Sequence, residues 1–192
     1  MQQLVLASGS AHRKRLLSLL NLPFEAVAPD LDEAPFPGET PRATAARLAE
    51  EKAAALAPRF PDALIIGSDQ VGELEGEHLG KPLTHERAVQ QLRRCSGRTV
   101  LFHTALCLLD AHTGMRQNAI ATNEVRFRKL RDAQIERYLL REQPYDCTGS
   151  AKADAFGIVL IEAMRGDDPN ALIGLPLIRL VNMLREAGIP LP

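Results

Sequence analysis

Asp69 follows the run Ala63-Leu64-Ile65-Ile66-Gly67-Ser68 and precedes Gln70. Four apolar residues in succession read as a strand buried on both faces, and the pattern predicts that this strand ends at the carboxylate. Burial raises a carboxylate's pKa and a nearby cation or metal lowers it, so an Asp at the mouth of a core strand can be tuned into a base or a ligand. The competing reading is an Asp that caps the next turn.

Other charged residues also stand where a plain core would not want them. The first turn of a helix favours Asp and Glu, because free backbone N–H groups place partial positive charge there. After Ser8-Gly9-Ser10 that turn instead carries His12, Arg13, Lys14 and Arg15. Two hydroxyls, a glycine that permits close backbone approach, unpaired N–H groups and an arginine describe a phosphate site at a helix N-terminus. A solvated basic turn is the alternative, and neither a Walker A sequence nor G-x-G-x-x-G is present. Lys52 falls inside an apolar helical stripe, where an ammonium either snorkels to the surface or faces an anion across a cleft. Lys81 sits in the constrained turn Gly80-Lys81-Pro82, and Asp30, Asp32 and Glu33 form a stiff acidic loop between Pro29 and Pro35. That loop is either solubilising or a hard-cation site, since Mg²⁺ takes carboxylate oxygens together with substrate phosphates.

These side chains need elements to hold them. Residues 4–7 are expected as a strand, Ser10 as the N-cap of a helix through Leu16, Leu17, Leu19 and Leu20, and residues 24–28 as a second strand. Thr40 as N-cap and Pro41 at the first position start a helix to about Leu56. It carries Ala45, Leu48, Ala49, Ala53 and Leu56 inward and Arg47, Glu50 and Glu51 outward. Residues 73–79 resemble a hairpin with Gly76 near its tip. Thr84 caps a helix through Ala88, Leu92 and Cys95 that Gly97 ends. Strands are expected at 99–109, 119–127 and 155–161, and helices at 131–140 and 172–187, the last with Pro176 near its start.

At 192 residues the chain is long enough for one full core or for two lobes sharing a cleft. A net charge of −1 argues against bulk nucleic acid or an anionic membrane as the main partner, because both demand a basic excess. Six Phe, two Tyr and no Trp leave little for the stacking surfaces of single-stranded nucleic-acid binders. Cys95, Cys107 and Cys147 are odd in number and in no C-x-x-C spacing, so three buried free thiols in a reducing cytoplasm are expected. The apolar Leu4-Val5-Leu6-Ala7 precedes the basic His12-Arg13-Lys14-Arg15, the reverse of a signal peptide's order, and no apolar run approaches membrane-spanning length.

Ser8-Gly9-Ser10-Ala11-His12-Arg13, Asp32-Glu33, Glu51-Lys52, Gly67-Ser68-Asp69-Gln70, Gly80-Lys81-Pro82, Gly149-Ser150-Ala151-Lys152 and Gly174-Leu175-Pro176-Leu177 occur together and in this order. The ordered set resembles the Maf family of nucleoside triphosphate pyrophosphatases over essentially the whole chain. Gln70, with Asp168-Pro169-Asn170, is most similar to the branch acting on 7-methyl-GTP; the branch acting on dTTP and UTP typically has Thr at the position of Gln70. Ala11 stands where the family usually has Pro, His12 where the methyl-GTP branch tends to have Trp, and Asp154 where it tends to have Glu.

The resemblance implies an α/β fold like that of inosine triphosphate pyrophosphatases: one domain over residues 1–192 whose two lobes share an elongated, twisted mixed sheet and a central cleft. It also implies a divalent cation, Mg²⁺ or Mn²⁺, a cytoplasmic site of action and often a homodimer. Carried over by position, phosphate binding falls on Ser8, Ser10 and Arg13, and the acidic pocket residue on Glu33. The catalytic residues are Asp69, as proton acceptor, with Lys52 and Lys81. Selectivity maps to His12, Gln70 and Asp154, and metal ligation to Asp69 and Glu33. His12 is expected to read or stack on the base, since nothing in the sequence supplies the partner that would orient it for catalysis. Two alternatives stay open: a pyrophosphatase of the dTTP/UTP type, and a non-catalytic nucleotide-binding regulator of cell division, which would lose the charged set while keeping the apolar skeleton.

Overall fold

A computed structural model describes residues 2–191. Seven strands form one mixed sheet: β1 (Leu4–Ala7), β2 (Glu25–Val27), β3 (Leu64–Leu74), β4 (Glu77–Leu79), β5 (Thr99–Asp110), β6 (Arg116–Phe127) and β7 (Ile161–Arg165). Five α-helices flank it among the described residues: α1 (Ala11–Ser18), α2 (Pro41–Leu56), α3 (His85–Cys95), α4 (Asp132–Glu142) and α5 (Leu177–Glu186). The strand order is β2-β1-β3-β5-β6-β7, with β4 pairing β3 off that path. β1 is parallel to both its neighbours and every other pair is antiparallel.

The pairing of β3 makes the site possible. On one edge its ladder with β5 runs unbroken from Leu64 to Glu73. On the other, β1 pairs only with Leu64, Ile65 and Ile66, and β4 only with Gly72, Glu73 and Leu74. Residues 67–71 therefore have a free edge, a window in the sheet at which side chains from both faces of β3 can meet one space. The window opens at the carboxyl end of the parallel strand β1, where ligand crevices form in α/β sheets.

Apolar clusters fix the helices around it. α2 lays Ala45, Ala49 and Ala53 on Val5, Ile65 and Cys107, while α1 and α5 bury Leu17, Leu180 and Leu184 against Leu6, Ile66 and Leu106 on the other face. Beyond the window, Leu92 of α3 and Ile135 and Leu139 of α4 pack on Val100, Phe102, Val125 and Phe127. Full burial of such a side chain stabilises by about 1.5–3 kcal/mol, so each group of helices is held on its own account.

Ser10, Thr40 and Thr84 cap α1, α2 and α3 as expected, each accepting from a backbone N–H three residues on. The β3–β4 turn is Glu75-Gly76 with φ of 55° and 84°, the doubly left-handed turn that suits a two-residue hairpin.

Three expectations need correction. β3 does not end at Asp69 but continues to Leu74; what stops beside Asp69 is its neighbour β1. The strand expected at 155–161 is a 3-10 turn, Phe156–Leu160, with β7 following it. A Cβ at Gly157 would lie 2.5 Å from the Lys152 carbonyl oxygen, so the chain folds back on itself too closely for an extended strand. The helix expected at 172–187 is broken into a 3-10 turn, Ala171–Ile173, and α5, because Gly174 adopts φ 122° and Pro176 brings no N–H to a continuous helix.

Candidate active site

A cleft of about 990 Å³ lies over the window, and Ser8, Ser10, His12, Arg13, Glu33, Lys52, Asp69, Gln70, Lys81 and Asp154 all line it. Residues scattered over some 150 positions of sequence thus share one cavity. Asp69 and Gln70 reach it from opposite faces of β3, through the free edge.

At the base of the cleft the Lys52 ammonium sits between two carboxylates, 2.6 Å from Asp69 Oδ1 and 2.7 Å from Glu33 Oε1. Lys52 is only 5% exposed and Asp69 7%. The lysine is therefore neither snorkelled nor waiting for an anion; it is already paired. α2 comes close enough for this because β3 carries glycine beneath it, where a Cβ at Gly67 would lie 2.0 Å from the Ala49 carbonyl oxygen. Burial pushes the Glu33 carboxyl up, but the Lys52 hydrogen bond and the charges of Lys52, Lys81 and Arg13 together outweigh it and hold Glu33 below its ordinary value. Lys81, in the loop after β4, is exposed and makes no ion pair among the described residues. That loop is tied down by Gln91 of α3, which donates to Gly80 O at 2.9 Å.

The opposite wall is the loop from β1 into α1. Ser8 Oγ accepts from Ser10 N–H at 3.1 Å and from Arg13 Nη1 at 3.4 Å, while Arg13 Nε donates to Gly174 O at 2.8 Å. Burial lowers the Arg13 guanidinium pKa, against the raising effect of Asp69 and Glu33. Its fork is thereby fixed in direction, which makes it a fitting partner for a bidentate anion.

Gln70 is held more tightly than its sequence position conveyed. Its Nε2 donates to Thr104 Oγ1 at 2.9 Å and to the carbonyls of Ala171 and Leu172, each at 3.0 Å. The Thr104 hydroxyl spends its proton on Ala171 O, so all three neighbours are acceptors and the amide can be oriented only one way. Gln70 offers the cleft its Oε1 alone.

At the mouth, His12 Nδ1 stands 3.6 Å from Asp154 Oδ2, and Arg15 Nη2 binds the same oxygen at 3.0 Å. Asp154 lies beside His12, beyond hydrogen-bond distance, and its oxygen is held by Arg15. Cys95 and Cys107 are buried free thiols as expected, but Cys147 is only half-buried and lines the cleft. Burial, with Asp146 beside it, pushes the Cys147 thiol up to about 12.

The family model described as Maf-like protein matches residues 3–187. The chain belongs to the Maf family. Three curated relatives carry the name 7-methyl-GTP pyrophosphatase. One from Methylobacillus flagellatus is 55% identical over 189 residues, covering 98% of each chain. One from Polaromonas sp. is 55% identical over 188 residues, 98% of this chain and 86% of the relative. One from Nitrosococcus oceani is 54% identical over 187 residues, 97% of this chain and 94% of the relative. The α/β architecture, with its mixed sheet and flanking helices, is the one that the resemblance to the Maf family implied.

Among the described residues no group of three or more His, Cys, Asp and Glu side chains is arranged to hold a metal by itself. The donors that fit a divalent cation are Glu33 and Asp69, two hard carboxylates already bridged by a cation, the Lys52 ammonium. Two carboxylates match the way Mg²⁺ is held when substrate phosphates supply the remaining oxygens. Sequence reasoning gave no role to Lys152, Ser68 or Thr104. Lys152 lines the cleft as the last residue of the Gly149-Ser150-Ala151-Lys152 motif. Ser68 Oγ donates to Ala105 O and Gly174 O at 2.8 and 3.1 Å. The motifs Gly149-Ser150-Ala151-Lys152 and Gly67-Ser68-Asp69-Gln70 were signals for the first two; nothing local marked Thr104.

Proposed function

We propose that this Maf protein is a nucleoside triphosphate pyrophosphatase that cleaves between the α- and β-phosphates of 7-methyl-GTP, releasing 7-methyl-GMP and pyrophosphate. The observation that carries this reading is the Asp69–Lys52–Glu33 cluster facing the Ser8–Arg13 loop across one cleft. The name borne by the relatives supports the substrate.

Arg13, Lys81, Ser8, Ser10 and the N–H groups at the start of α1 bind the triphosphate. Lys52 holds Asp69 by Oδ1, leaving Oδ2 to take the proton from the attacking water. Lys52 and Lys81 offset the charge that builds on the phosphoryl oxygens. Glu33 would hold a divalent cation, Mg²⁺ or Mn²⁺, with Asp69 Oδ2 as its second ligand where that oxygen serves the metal in place of taking the proton; when bound, the cation neutralises phosphate charge and polarises the reacting phosphoryl group. Next to Asp69, on the other face of β3, Gln70 Oε1 accepts from the N–H edge of the base. Methylation of N7 puts positive charge on guanine, which strengthens that bond and suits the Asp154 carboxylate nearby. His12 reads or stacks on the ring. The same reading assigns the enzyme to the cytoplasm, as a single two-lobed domain working on free nucleotides and assembled as a homodimer; among the described residues no helix is long and apolar enough to cross a membrane.

The test is pyrophosphate release from a nucleotide panel, with and without Mg²⁺ or Mn²⁺, for the wild type and Asp69→Asn. The variant is expected to lose about two to four orders of magnitude in kcat, the usual cost of removing a positioned base, while still folding. Turnover within a few-fold of wild type would remove Asp69 from the mechanism. Nucleotide binding without turnover by the wild type would instead favour the non-catalytic regulator.

A further inference from the structure

We propose that Asp168 is a positioning residue for the nucleotide site, acting through the chain segment 168–178 without touching substrate. Asp168 is 1% exposed, and its carboxylate closes that segment on itself. Oδ1 accepts from the Asn170 N–H at 3.1 Å, and Oδ2 accepts from the Ile178 N–H, in the first turn of α5, at 2.8 Å. Between these two bonds the backbone passes through the 3-10 turn Ala171–Ile173 and through Gly174 at φ 122°. Within it Asn170 O accepts from the N–H groups of Ile173 and Gly174, and Ala171 O from that of Gly174, while the carbonyls of Ala171, Leu172 and Gly174 also take side-chain donors from other elements.

Those carbonyls are what orient the site. Ala171 O accepts from Thr104 Oγ1 at 2.8 Å and from Gln70 Nε2 at 3.0 Å, and Leu172 O accepts from the same Gln70 nitrogen at 3.0 Å. Gly174 O accepts from Arg13 Nε at 2.8 Å and from Ser68 Oγ at 3.1 Å. One irregular segment thus sets both the direction of the Gln70 amide and the fork of Arg13. The residue that staples it must present two acceptor oxygens to two N–H donors that face it from different parts of the segment. A carboxyl side chain of this length presents two such oxygens, beside the start of α5. A simpler cap would suffice to begin the helix, so a fully buried carboxyl with both oxygens engaged is explained by the precision it gives the carbonyls.

The activity arm of the test rests on the pyrophosphatase reading; the spectroscopic arm does not. Asp168→Asn turns one acceptor into a donor opposite an N–H, and Asp168→Ser leaves a single acceptor with no opposing donor. In both, the ratio of kcat/KM for 7-methyl-GTP over UTP is expected to fall at least about tenfold, in keeping with what a small misplacement costs an aligned site. The Gln70 side-chain amide protons, identified in nitrogen-15 NMR spectra by their loss in Gln70→Leu, are expected to change from slow to fast exchange with solvent. Ile135→Ala, which opens a cavity under α4, serves as a control that lowers Tm and leaves both readouts unchanged. The proposal is overturned if either Asp168 variant keeps its selectivity within about twofold with a slowly exchanging Gln70 amide, or if Ile135→Ala loses selectivity equally. Should the wild type hydrolyse no nucleotide, the pyrophosphatase reading fails and amide exchange alone still decides the role of Asp168.

Discussion

Gln70 spends its nitrogen on the protein and keeps its oxygen for the cleft, which turns an ambivalent side chain into a fixed acceptor. From sequence the amide could both donate and accept; three neighbouring acceptors remove that choice. Gln70→Thr deletes the oxygen and leaves Leu172 O without its donor. It is expected to lower the preference for 7-methyl-GTP over UTP by about ten- to a hundredfold, the equivalent of one hydrogen bond to a charged partner at about 1.5–3 kcal/mol. Ratios of kcat/KM for the two nucleotides check this, and an unchanged ratio would return Gln70 to a structural role. Lys52 makes the same point differently. Its place in an apolar stripe was legible at once, as was its need for a partner, but nothing short of the fold could show that one partner comes from the acidic loop and the other from β3.

At the scale of elements, the approach of α2 to β3 is set by Gly67 and the hold of the acidic loop by Glu39. Gly67→Ala puts a methyl group 2.0 Å from the Ala49 carbonyl oxygen, so α2 must move away and take Lys52 with it. Overpacking of this kind costs about 1–3 kcal/mol, and the variant is expected to show both a lower Tm and a kcat reduced with that of Asp69 variants, because the ammonium loses its reach. Glu39 sits before α2 and accepts from Arg47 Nε at 2.8 Å, Arg47 Nη2 at 2.8 Å, Thr44 Oγ1 at 2.9 Å and Phe36 N–H at 3.0 Å. Arg47 also donates to Ala34 O at 3.0 Å, tying the loop next to Glu33 back to the helix. Periodicity placed Arg47 outward; it lies instead along this loop with its side chain 16% exposed. Its hydrogen bond holds the Glu39 carboxyl well down, from an ordinary 4.5 to about 2. A depressed carboxylate contributes stability that is present above its unfolded value and lost as pH falls toward the folded one. Glu39→Gln is therefore expected to flatten the fall in stability between about pH 4.5 and 2 relative to wild type, as urea melts across that range would show. Equal slopes in the two proteins would mean that the clamp does not form in solution.

For the whole molecule, a ligand that binds only the folded chain stabilises it by mass action. A non-hydrolysable α,β-methylene analogue of 7-methyl-GTP at about a hundred times its Kd contributes about 2.7 kcal/mol, which for a chain of this size raises Tm by about 5–11 °C. Thermal melts with and without Mg²⁺ would measure this, with the larger shift expected when the cation is present; a melting point that the analogue leaves unmoved would empty the cleft of its assigned ligand. The amino-acid sequence by itself determined the local elements of this protein. Side-chain hydroxyls at Ser10, Thr40 and Thr84 cap their own helices and Glu75-Gly76 makes its own turn, because each of these depends on residues a few positions apart, and the order of the motifs along the chain carries the family. The tertiary structure decided where the chemistry sits. The expectation that β3 ends at Asp69 mistook a break in the neighbouring strand for a break in the strand itself, since the pairing of β1 and β4 along an edge leaves no trace in β3's own residues. That unpaired stretch is bounded by a strand pairing sixty positions apart, and the irregular segment whose carbonyls reach across to Gln70 and Arg13 is held by contacts between residues more than a hundred positions apart; hydrogen bonds of that kind are fixed by packing and not by periodicity.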